Sequence, residues 1–423
     1  MNAPRSNGPT SGISSHDSRT GPAAEARADG AGGQERKLSH RDWILLPFVG
    51  LLTVVFVAGS TEFIARRMFS QSGTLMRDCL LSHPAISGRA IPNSVCWDKP
   101  AESPSAVEYR FNVCGHRAGV ECGPKPDGVY RIVMIGSSVA MGDRVRWDKT
   151  FAVSLPEVLS RQTGRKVELY NEGVMIRYPH VVAQQVQEAL AAKPDMLLWV
   201  LTPFDIETET PDRYIEIPAE NTSTLTRAWS RAKITFSNQS FSESMSYLWQ
   251  RALEPLNKST TTTMLQHFLY ESESQYVKSC LLGGDPMGYL LARPSDKWEG
   301  RLRMFDSDDA EIARQARAAG VPLVSVLVPM RPQAAILSTG SWPAGYDPYK
   351  LGNELRAITT SHGGIYLDIF PGFREIPNSE QFYFPVDGHP NADGHAIISR
   401  LLAKELTNGS IPALKTATPP PAE

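Results

Sequence analysis

The sequence predicts a three-layer α/β/α domain built on a parallel β-sheet and preceded by one transmembrane helix. After residue 129, short apolar segments alternate with amphipathic ones, and an uncharged apolar run lies closer to the N-terminus. Strands that alternate with helices form a parallel sheet covered on both faces. The chain has 423 residues, of which 41% are hydrophobic, enough for one large domain or two modest ones.

The apolar run at 43–61 carries no charge and would span about 28 Å as a helix, close to the thickness of a bilayer's hydrocarbon core. It predicts a transmembrane helix over 42–65. The preceding segment, 1–41, is rich in Gly, Ala and Ser, and we expect it to be a disordered cytoplasmic N-terminus. A cleaved signal peptide is the alternative, which the long preceding segment disfavours.

Five cysteines occur in the chain, and four of them follow the apolar run closely. In an oxidising compartment the simplest pairing is local, Cys79 with Cys96 and Cys114 with Cys122, which leaves Cys280 free. Four unpaired buried thiols are the alternative. A disulfide-linked region on the C-terminal side of the span favours a cytoplasmic N-terminus, since the basic residues flanking the span give only a slight bias.

The remaining chain divides into a turn-rich lead-in at 66–128, an α/β domain at 129–408 and a flexible tail at 409–423. An insert at 207–300, where lids and substrate loops commonly occur, interrupts the alternation. Strands are expected at 129–135, 167–170, 196–201, 321–328 and 365–369. Helices are expected at 151–161, 181–192, 310–319, 351–361 and 392–406, with a helical piece at 242–253 in the insert.

The charge pattern gives no reason to expect a nucleic-acid partner. Lys and Arg number 43 against 45 Asp and Glu, for a formal net charge of −2. No segment combines dense basic residues with interleaved aromatics, as a nucleic-acid interface would. No C-x-x-C pair is present either, so a structural zinc site is not expected. We expect no metal and no organic cofactor.

Two segments carry the residue types of nucleophilic catalysis. Ser138 lies in a Gly-flanked turn directly after the first predicted strand, where open α/β sheets bind ligands. A helix N-cap is the structural alternative for a serine there. Near the C-terminus, Asp387 precedes His389 by two residues, just before the last predicted helix. A carboxylate that braces one imidazole nitrogen leaves the other free to act as a base toward a serine.

Together, these segments resemble the SGNH (GDSL-type) hydrolase superfamily over about 129–406. The family's first block matches Gly136-Ser137-Ser138 with Gly142, so the resemblance implies Ser138 as nucleophile, with Ser137 where the family has Asp. The sequence at 109–117 also resembles the segment that precedes this block in membrane-linked members of the family. The fold implied is the flavodoxin-like SGNH fold.

The other family blocks imply the remaining roles. The second block matches at Gly173, so the resemblance implies an oxyanion hole formed by the backbone N–H groups of Ser138 and Gly173. In the third block Phe204 stands where the family has an Asn donor, a loss of about 3–4 kcal/mol unless another group such as Thr202 substitutes. The fourth block, one residue shorter than usual, implies Asp387 and His389 as catalytic partners.

The resemblance implies an esterase that is anchored in the inner membrane with its catalytic domain outside the cytoplasm. It would act through an acyl-enzyme on an acylated small molecule or glycan, for example the O-acyl groups of envelope polysaccharides. Two alternatives stay open: a polysaccharide O-acetyltransferase that uses the same triad, and a degenerate glycan-binding or assembly protein. Ser137 and Phe204 motivate the second alternative. Arg331 could hold an anionic substrate or could be a surface cation.

Overall fold

The structure is a computed structural model that describes residues 40–69, 76–80, 90–100, 102–103, 105–175, 178–207 and 259–416. The chain divides into two compact units, Met1–Ala58 and Gly59–Glu423. The predictions for 1–39, for the insert helix at 242–253 and for the tail after residue 416 lie outside the described residues.

A five-stranded parallel sheet forms the centre of the second unit. Its strands lie in the order β4-β3-β5-β6-β7. Their bounds are Tyr130–Gly136 (β3), Val167–Asn171 (β4), Met196–Leu201 (β5), Leu323–Leu327 (β6) and Ile365–Leu367 (β7). Every residue of β3, β5 and β6 is buried, which explains why these strands are mainly apolar on both faces in the sequence.

Two short strands and twelve helices are described outside this sheet. The strands, Val95–Asp98 (β1) and Val107–Arg110 (β2), form an antiparallel pair. The helices are His40–Phe69 (α1), Ser138–Met141 (α2), Phe151–Thr163 (α3), Pro179–Ala191 (α4), Pro203–Glu207 (α5), Thr260–Tyr270 (α6), Glu273–Leu281 (α7), Asp296–Ala318 (α8), Arg331–Thr339 (α9), Lys350–Ser361 (α10), Phe370–Arg374 (α11) and Ala392–Thr407 (α12).

The strand order places helices on both faces of the sheet. The chain moves from β3 to β4 in one direction and then crosses back to β5, β6 and β7 in the other. Because parallel crossovers are right-handed, α3 covers one face and α4, α8 and α10 cover the other. Helix α12 packs on α3, and α8 packs on α4. The three-layer fold class predicted from the sequence is confirmed, and the order is that of flavodoxin-like sheets.

The core between these layers is formed by large buried side chains. Trp199 of β5 stacks on Phe305 of α8 with ring centroids 5.2 Å apart, and both are almost completely buried. Each fully buried aromatic or aliphatic side chain of this size contributes about 1.5–3 kcal/mol to folding. The sheet therefore provides a rigid base for the loops at its carboxyl edge.

Helix α1 contains one stretch, Leu45–Arg67, that is long and apolar enough to cross a membrane by length and composition. Most of the large apolar side chains in this stretch are exposed.

The described part of the lead-in is held together by two disulfide bonds and a small core of its own. Disulfide bonds join Cys79 to Cys96 and Cys114 to Cys122, the local pairing that the sequence predicts. Cys280 is free. The buried side chains of Tyr109 and Phe111 pack with the first disulfide in a small second core that reaches Met141, next to the predicted nucleophile.

Two boundaries differ from the prediction. Helix α8 begins at Asp296, inside the predicted insert, because Ser295 caps it and accepts a hydrogen bond from the Trp298 N–H at 3.4 Å. The predicted flexible tail is ordered as far as residue 416, because Ile411 and Leu414 are buried in the main core.

Candidate active site

Ser138 is the first residue of α2, directly after β3, at the carboxyl edge of the sheet. The strand order reverses beside β3, and such switch points are where open α/β sheets bind ligands. The N-cap position is occupied by Ser137 and not by Ser138. The Ser138 hydroxyl is therefore not needed to cap a helix and points toward the loop that precedes α12.

The structure brings Ser138, His389 and Asp387 into one hydrogen-bonded chain. Ser138 Oγ lies 2.7 Å from His389 Nε2, and His389 Nδ1 lies 2.6 Å from Asp387 Oδ1. An ionised carboxylate only accepts hydrogen bonds, so Nδ1 carries the proton and Nε2 accepts from the serine hydroxyl. This tautomer is the one a general base requires.

The short Asp-x-His spacing is accommodated by the residue between the two. Gly388 has φ +81°, in the left-handed region that glycine adopts without strain. The Gly388 N–H donates to the Phe384 carbonyl, and the Phe384 N–H donates to the His389 carbonyl, both at 2.9 Å. This tight turn folds the Asp387 carboxylate back onto the ring of His389.

The charges around the triad stabilise the imidazolium. Burial alone would lower the pKa of His389, but its hydrogen bond to Asp387 and the charges of Asp387 and Asp143 outweigh burial and raise this pKa above its ordinary value. Burial likewise would raise the pKa of Asp387, but His389 and Arg144 together hold it below its usual range. Asp387 therefore stays ionised and can stabilise the proton that His389 accepts.

The oxyanion role expected of Gly173 does not agree with its hydrogen bond. The Gly173 N–H donates to Asn171 Oδ1 at 2.9 Å, so it already has an acceptor within the protein. A Cβ at this position would lie 2.5 Å from the Met141 backbone nitrogen. Gly173 is thus a close-packing position that lets the loop after β4 approach the helix carrying Ser138, and the structure does not present its N–H to an oxyanion.

Thr202, suggested from the sequence as a donor to the oxyanion in place of the family's Asn, also has an acceptor within the protein. Its hydroxyl and its N–H both donate to Asp205 Oδ2, at 2.8 and 2.7 Å. Asp205 is buried, and burial raises its pKa to about 6. Phe204 is 45% exposed, so it presents an apolar surface where the family has an amide.

Three residues that sequence reasoning missed connect the lead-in to the triad. Tyr109 of β2 donates to Asp143 Oδ1 at 2.5 Å, and its hydroxyl accepts from the Arg144 N–H at 2.7 Å. The Arg144 Nε in turn lies 3.0 Å from Asp387 Oδ2. Asp143 and Arg144 follow Gly142 directly, so only their position beside the nucleophile block could have drawn attention to them.

Arg117 holds the loop after α2 from the lead-in side. Its buried guanidinium lies over the Tyr109 ring, 4.2 Å from the centroid. It donates to the carbonyls of Gly142 and Val145 and to that of Glu108 at 3.1 Å. The stretch that looked like a family lead-in in the sequence therefore shapes the turn that follows Ser138.

Glu102 and Arg331 hold the loop that carries Asp387. The Glu102 carboxylate accepts from the N–H groups of Val386 and Asp387, at 2.8 and 2.9 Å. Arg331 is 3% exposed and donates to the Pro385 carbonyl. Arg331 is thus neither the surface cation nor the anion-binding residue considered from the sequence, but a buried bridge between loops.

His395, the other histidine of this segment, lies on α12 as the sequence indicates. It is buried against the Phe151 ring, and its Nδ1 accepts from the Phe151 N–H at 3.2 Å. Burial lowers its pKa to about 3, so it is neutral. It caps the first turn of α3 and takes no part in the triad.

No family model and no curated protein matches the chain. Solved structures with which it shares similarity include TesA, at 11% identity and a TM-score of 0.36 over 67% of this chain and 99% of that one. An acetyl-xylooligosaccharide esterase from Geobacillus Stearmophilus matches at 11% identity and 0.36, over 66% and 94%. A member of the lipolytic protein G-D-S-L family from Veillonella parvula matches at 10% and 0.34, over 66% and 99%. At these identities and TM-scores, the chemistry of this chain has to be judged from its own side chains.

Proposed function

We propose that this protein is a serine esterase of the SGNH type. The observation that carries the proposal is the continuous chain from Ser138 Oγ through the His389 ring to the Asp387 carboxylate, with both hydrogen bonds shorter than 2.8 Å. A nucleophile, a base in the correct tautomer and an ionised carboxylate that orients the base are the parts that acyl transfer needs.

In the first half-reaction His389 Nε2 removes the proton from Ser138 Oγ as this oxygen attacks the ester carbonyl carbon. The negative charge that develops on the carbonyl oxygen faces the N-terminus of α2, where the Ser138 N–H has no intrahelical acceptor. His389 then returns the proton to the departing alkoxide, which leaves as an alcohol. His389 Nε2 then takes a proton from water as the water oxygen attacks the acyl carbon. The bond from that carbon to Ser138 Oγ breaks, Oγ takes the proton back from His389, and the carboxylic acid is released.

The same geometry argues against a degenerate binding protein. A protein that only binds glycans has no need to keep a hydroxyl, an imidazole and a carboxylate bonded in series. The pKa of Asp387 is lowered and that of His389 is raised, so the carboxylate stays ionised and favours a proton on the imidazole, as a general base requires. Enzymatic activity is therefore the function this site favours.

We further propose that α1 anchors the enzyme in the inner membrane, with its catalytic domain at 129–408 outside the cytoplasm. The apolar span Leu45–Arg67 and the two disulfide bonds that follow it support this location. An extracytoplasmic esterase would meet O-acyl groups on envelope or extracellular glycans, which we propose as the substrate class.

Hydrolysis of p-nitrophenyl acetate by the purified full-length protein tests the proposed activity. We expect turnover by the wild type and a fall of about 10³-fold or more in kcat for Ser138→Ala and for His389→Ala. Arg161→Ala, a substitution on the exposed side of α3, serves as the control and should leave the rate unchanged. Equal rates for the wild type and Ser138→Ala would refute an esterase at this site.

A further inference from the structure

Helix α6 exposes a stripe of large apolar side chains. Leu265, Phe268 and Leu269 are 59%, 65% and 47% exposed, and their i, i+3, i+4 spacing places them on one face of the helix. Single exposed apolar residues are common on protein surfaces, but three adjacent large ones on one helix form a patch that indicates an interaction surface.

The N-terminus of α6 is bound to the helix proposed to span the membrane. The Glu62 carboxylate of α1 accepts from the N–H groups of Thr260 and Thr261, both at 3.1 Å. An acidic side chain at this position satisfies backbone donors that have no acceptor within the helix. All of these residues belong to the unit that begins at Gly59. The stripe on α6 therefore starts next to the last turns of the candidate span.

The two side chains that follow Glu62 on α1 are also apolar and exposed. Phe63 and Ile64 are 72% and 55% exposed and lie within the span Leu45–Arg67. A helix that begins beside the candidate span and turns a row of Leu and Phe side chains outward has the apolar face of a helix that lies in a membrane interface.

The opposite side of α6 contacts Glu102 and Arg331, the two residues that hold the loop carrying Asp387. His267 Nδ1 lies 3.2 Å from Glu102 Oε1, and Glu102 accepts from the Asp387 N–H. At the end of the helix, the Tyr270 carbonyl accepts from Arg331 at 2.7 Å. At 1.5 Å per residue, His267 is about 10 Å along the helix from the Glu62 contact. Helix α6 thus connects the proposed anchor to the proposed general-base loop.

We propose that the Leu265–Phe268–Leu269 face of α6 docks into the headgroup and acyl boundary of the bilayer that holds α1. This inference rests on the membrane anchor proposed above. The occupant is a lipid surface, because the stripe is tied to the span itself through Glu62. Docking would order α6, and with it Glu102 and the loop of the general base, at the membrane surface.

The test uses the full-length protein reconstituted in vesicles of phosphatidylethanolamine and phosphatidylglycerol. A Cys280→Ser background removes the free thiol, and Phe268→Cys is labelled with the environment-sensitive fluorophore NBD. Arg161→Cys, on the exposed side of α3, is the matched control. Lipid carrying a nitroxide near its headgroup should reduce the emission at position 268 by roughly twofold and leave that at position 161 unchanged.

Two further measurements separate the possible failures. Extraction of the vesicles with alkaline carbonate reports on the anchor: protein that is washed off refutes the anchor and the inference together. Protein that resists extraction but shows no quenching at position 268 refutes the inference and leaves the anchor intact. If the unlabelled Phe268→Cys protein forms disulfide-linked dimers in the vesicles and the labelled protein is not quenched, a second copy of the chain covers this face. That result would also overturn the proposal.

Discussion

The Glu102 carboxylate accepts a hydrogen bond from the backbone N–H of Asp387 at 2.9 Å, across 285 positions of sequence. Its other oxygen accepts from the Val386 N–H at 2.8 Å, and the side chain is 3% exposed. A buried carboxylate from the lead-in therefore fixes the backbone of the residue that orients the proposed general base. The lead-in is a structural part of the site and not only a tether.

Replacement of Glu102 by Gln tests this positioning role. In this variant the side-chain NH₂ group of Gln would face the backbone N–H of either Val386 or Asp387. One of the two hydrogen bonds is then lost, because both facing groups are donors. A charge-assisted hydrogen bond of this kind is worth about 1.5–3 kcal/mol, so we expect kcat to fall by about tenfold to a hundredfold with little change in KM.

The matched control for this substitution is Glu121→Gln. Glu121 also accepts from a backbone N–H in the lead-in, that of Val113 at 3.1 Å, but does not contact the triad loop. Its variant should keep the wild-type kcat. A Glu102→Gln enzyme with unchanged kcat and an unchanged pH profile would show that the Glu102 contact does not position Asp387.

Replacement of Arg144 by Gln should move the acidic limb of the pH–rate profile. His389 must be neutral to act as a base, and its raised pKa moves that limb to higher pH than a free imidazole would give. The positive charge of Arg144 lowers the pKa of His389, so its removal should raise this pKa and shift the limb of kcat/KM to higher pH.

Arg146→Gln provides the control for charge removal two residues further on, since Arg146 is exposed and pairs with Asp148. Its profile should coincide with that of the wild type. A limb that moves to lower pH in Arg144→Gln would contradict the assignment of His389 as the titrating base.

Replacement of Gly173 by Ala tests its role in close packing against α2 while keeping the backbone N–H predicted to donate to the oxyanion. The backbone N–H remains in this variant, but the new Cβ would lie 2.5 Å from the Met141 nitrogen and displace the helix that carries Ser138. We expect a lower Tm together with at least about a tenfold loss of kcat. In Gly300→Ala the new Cβ would lie 3.8 Å from its nearest neighbour, Arg303, and this control should be neutral or slightly stabilising.

The neutral His395 should make the fold sensitive to acid. Its pKa is about 3 when folded and about 6.5 when unfolded, so the unfolded chain binds the extra proton and stability falls as pH drops below about 6.5. Between pH 7.5 and 5.5 this histidine alone should cost about 1.4 kcal/mol. Denaturant titrations at both pH values should show a smaller pH dependence for His395→Gln, and an equal dependence would refute the assignment.

The sequence predicted the parts of the fold and site that depend on local patterns. The buried strands β3, β5 and β6 are mainly apolar, and Ser138, Asp387 and His389 lie in short motifs at turns. The start of α8 differs from the prediction although the sequence carries a helix-start signal there, an N-cap Ser295 with the acidic residues Asp296 and Glu299 in the first turn.

The supporting contacts of the site could not be predicted in the same way. Glu102, Tyr109 and Arg144 act through partners that the fold brings together from distant segments, and no periodicity marks them. The hydrogen bond of Gly173 has a local origin: the side chain of Asn171, two residues earlier, accepts from its N–H. A motif gives the position of a residue, whereas the direction of its N–H depends on the loop.

The central claim is that Ser138 is a nucleophile activated by His389. Intact-protein and peptide mass spectrometry after reaction with a fluorophosphonate tests it most directly, because the probe reacts with an activated serine. We predict one adduct on the peptide that contains Ser138, its loss in Ser138→Ala, and a labelling rate reduced by about 10³-fold in His389→Ala. A wild-type protein that is labelled no faster than Ser138→Ala, or labelled at another serine, would contradict this account.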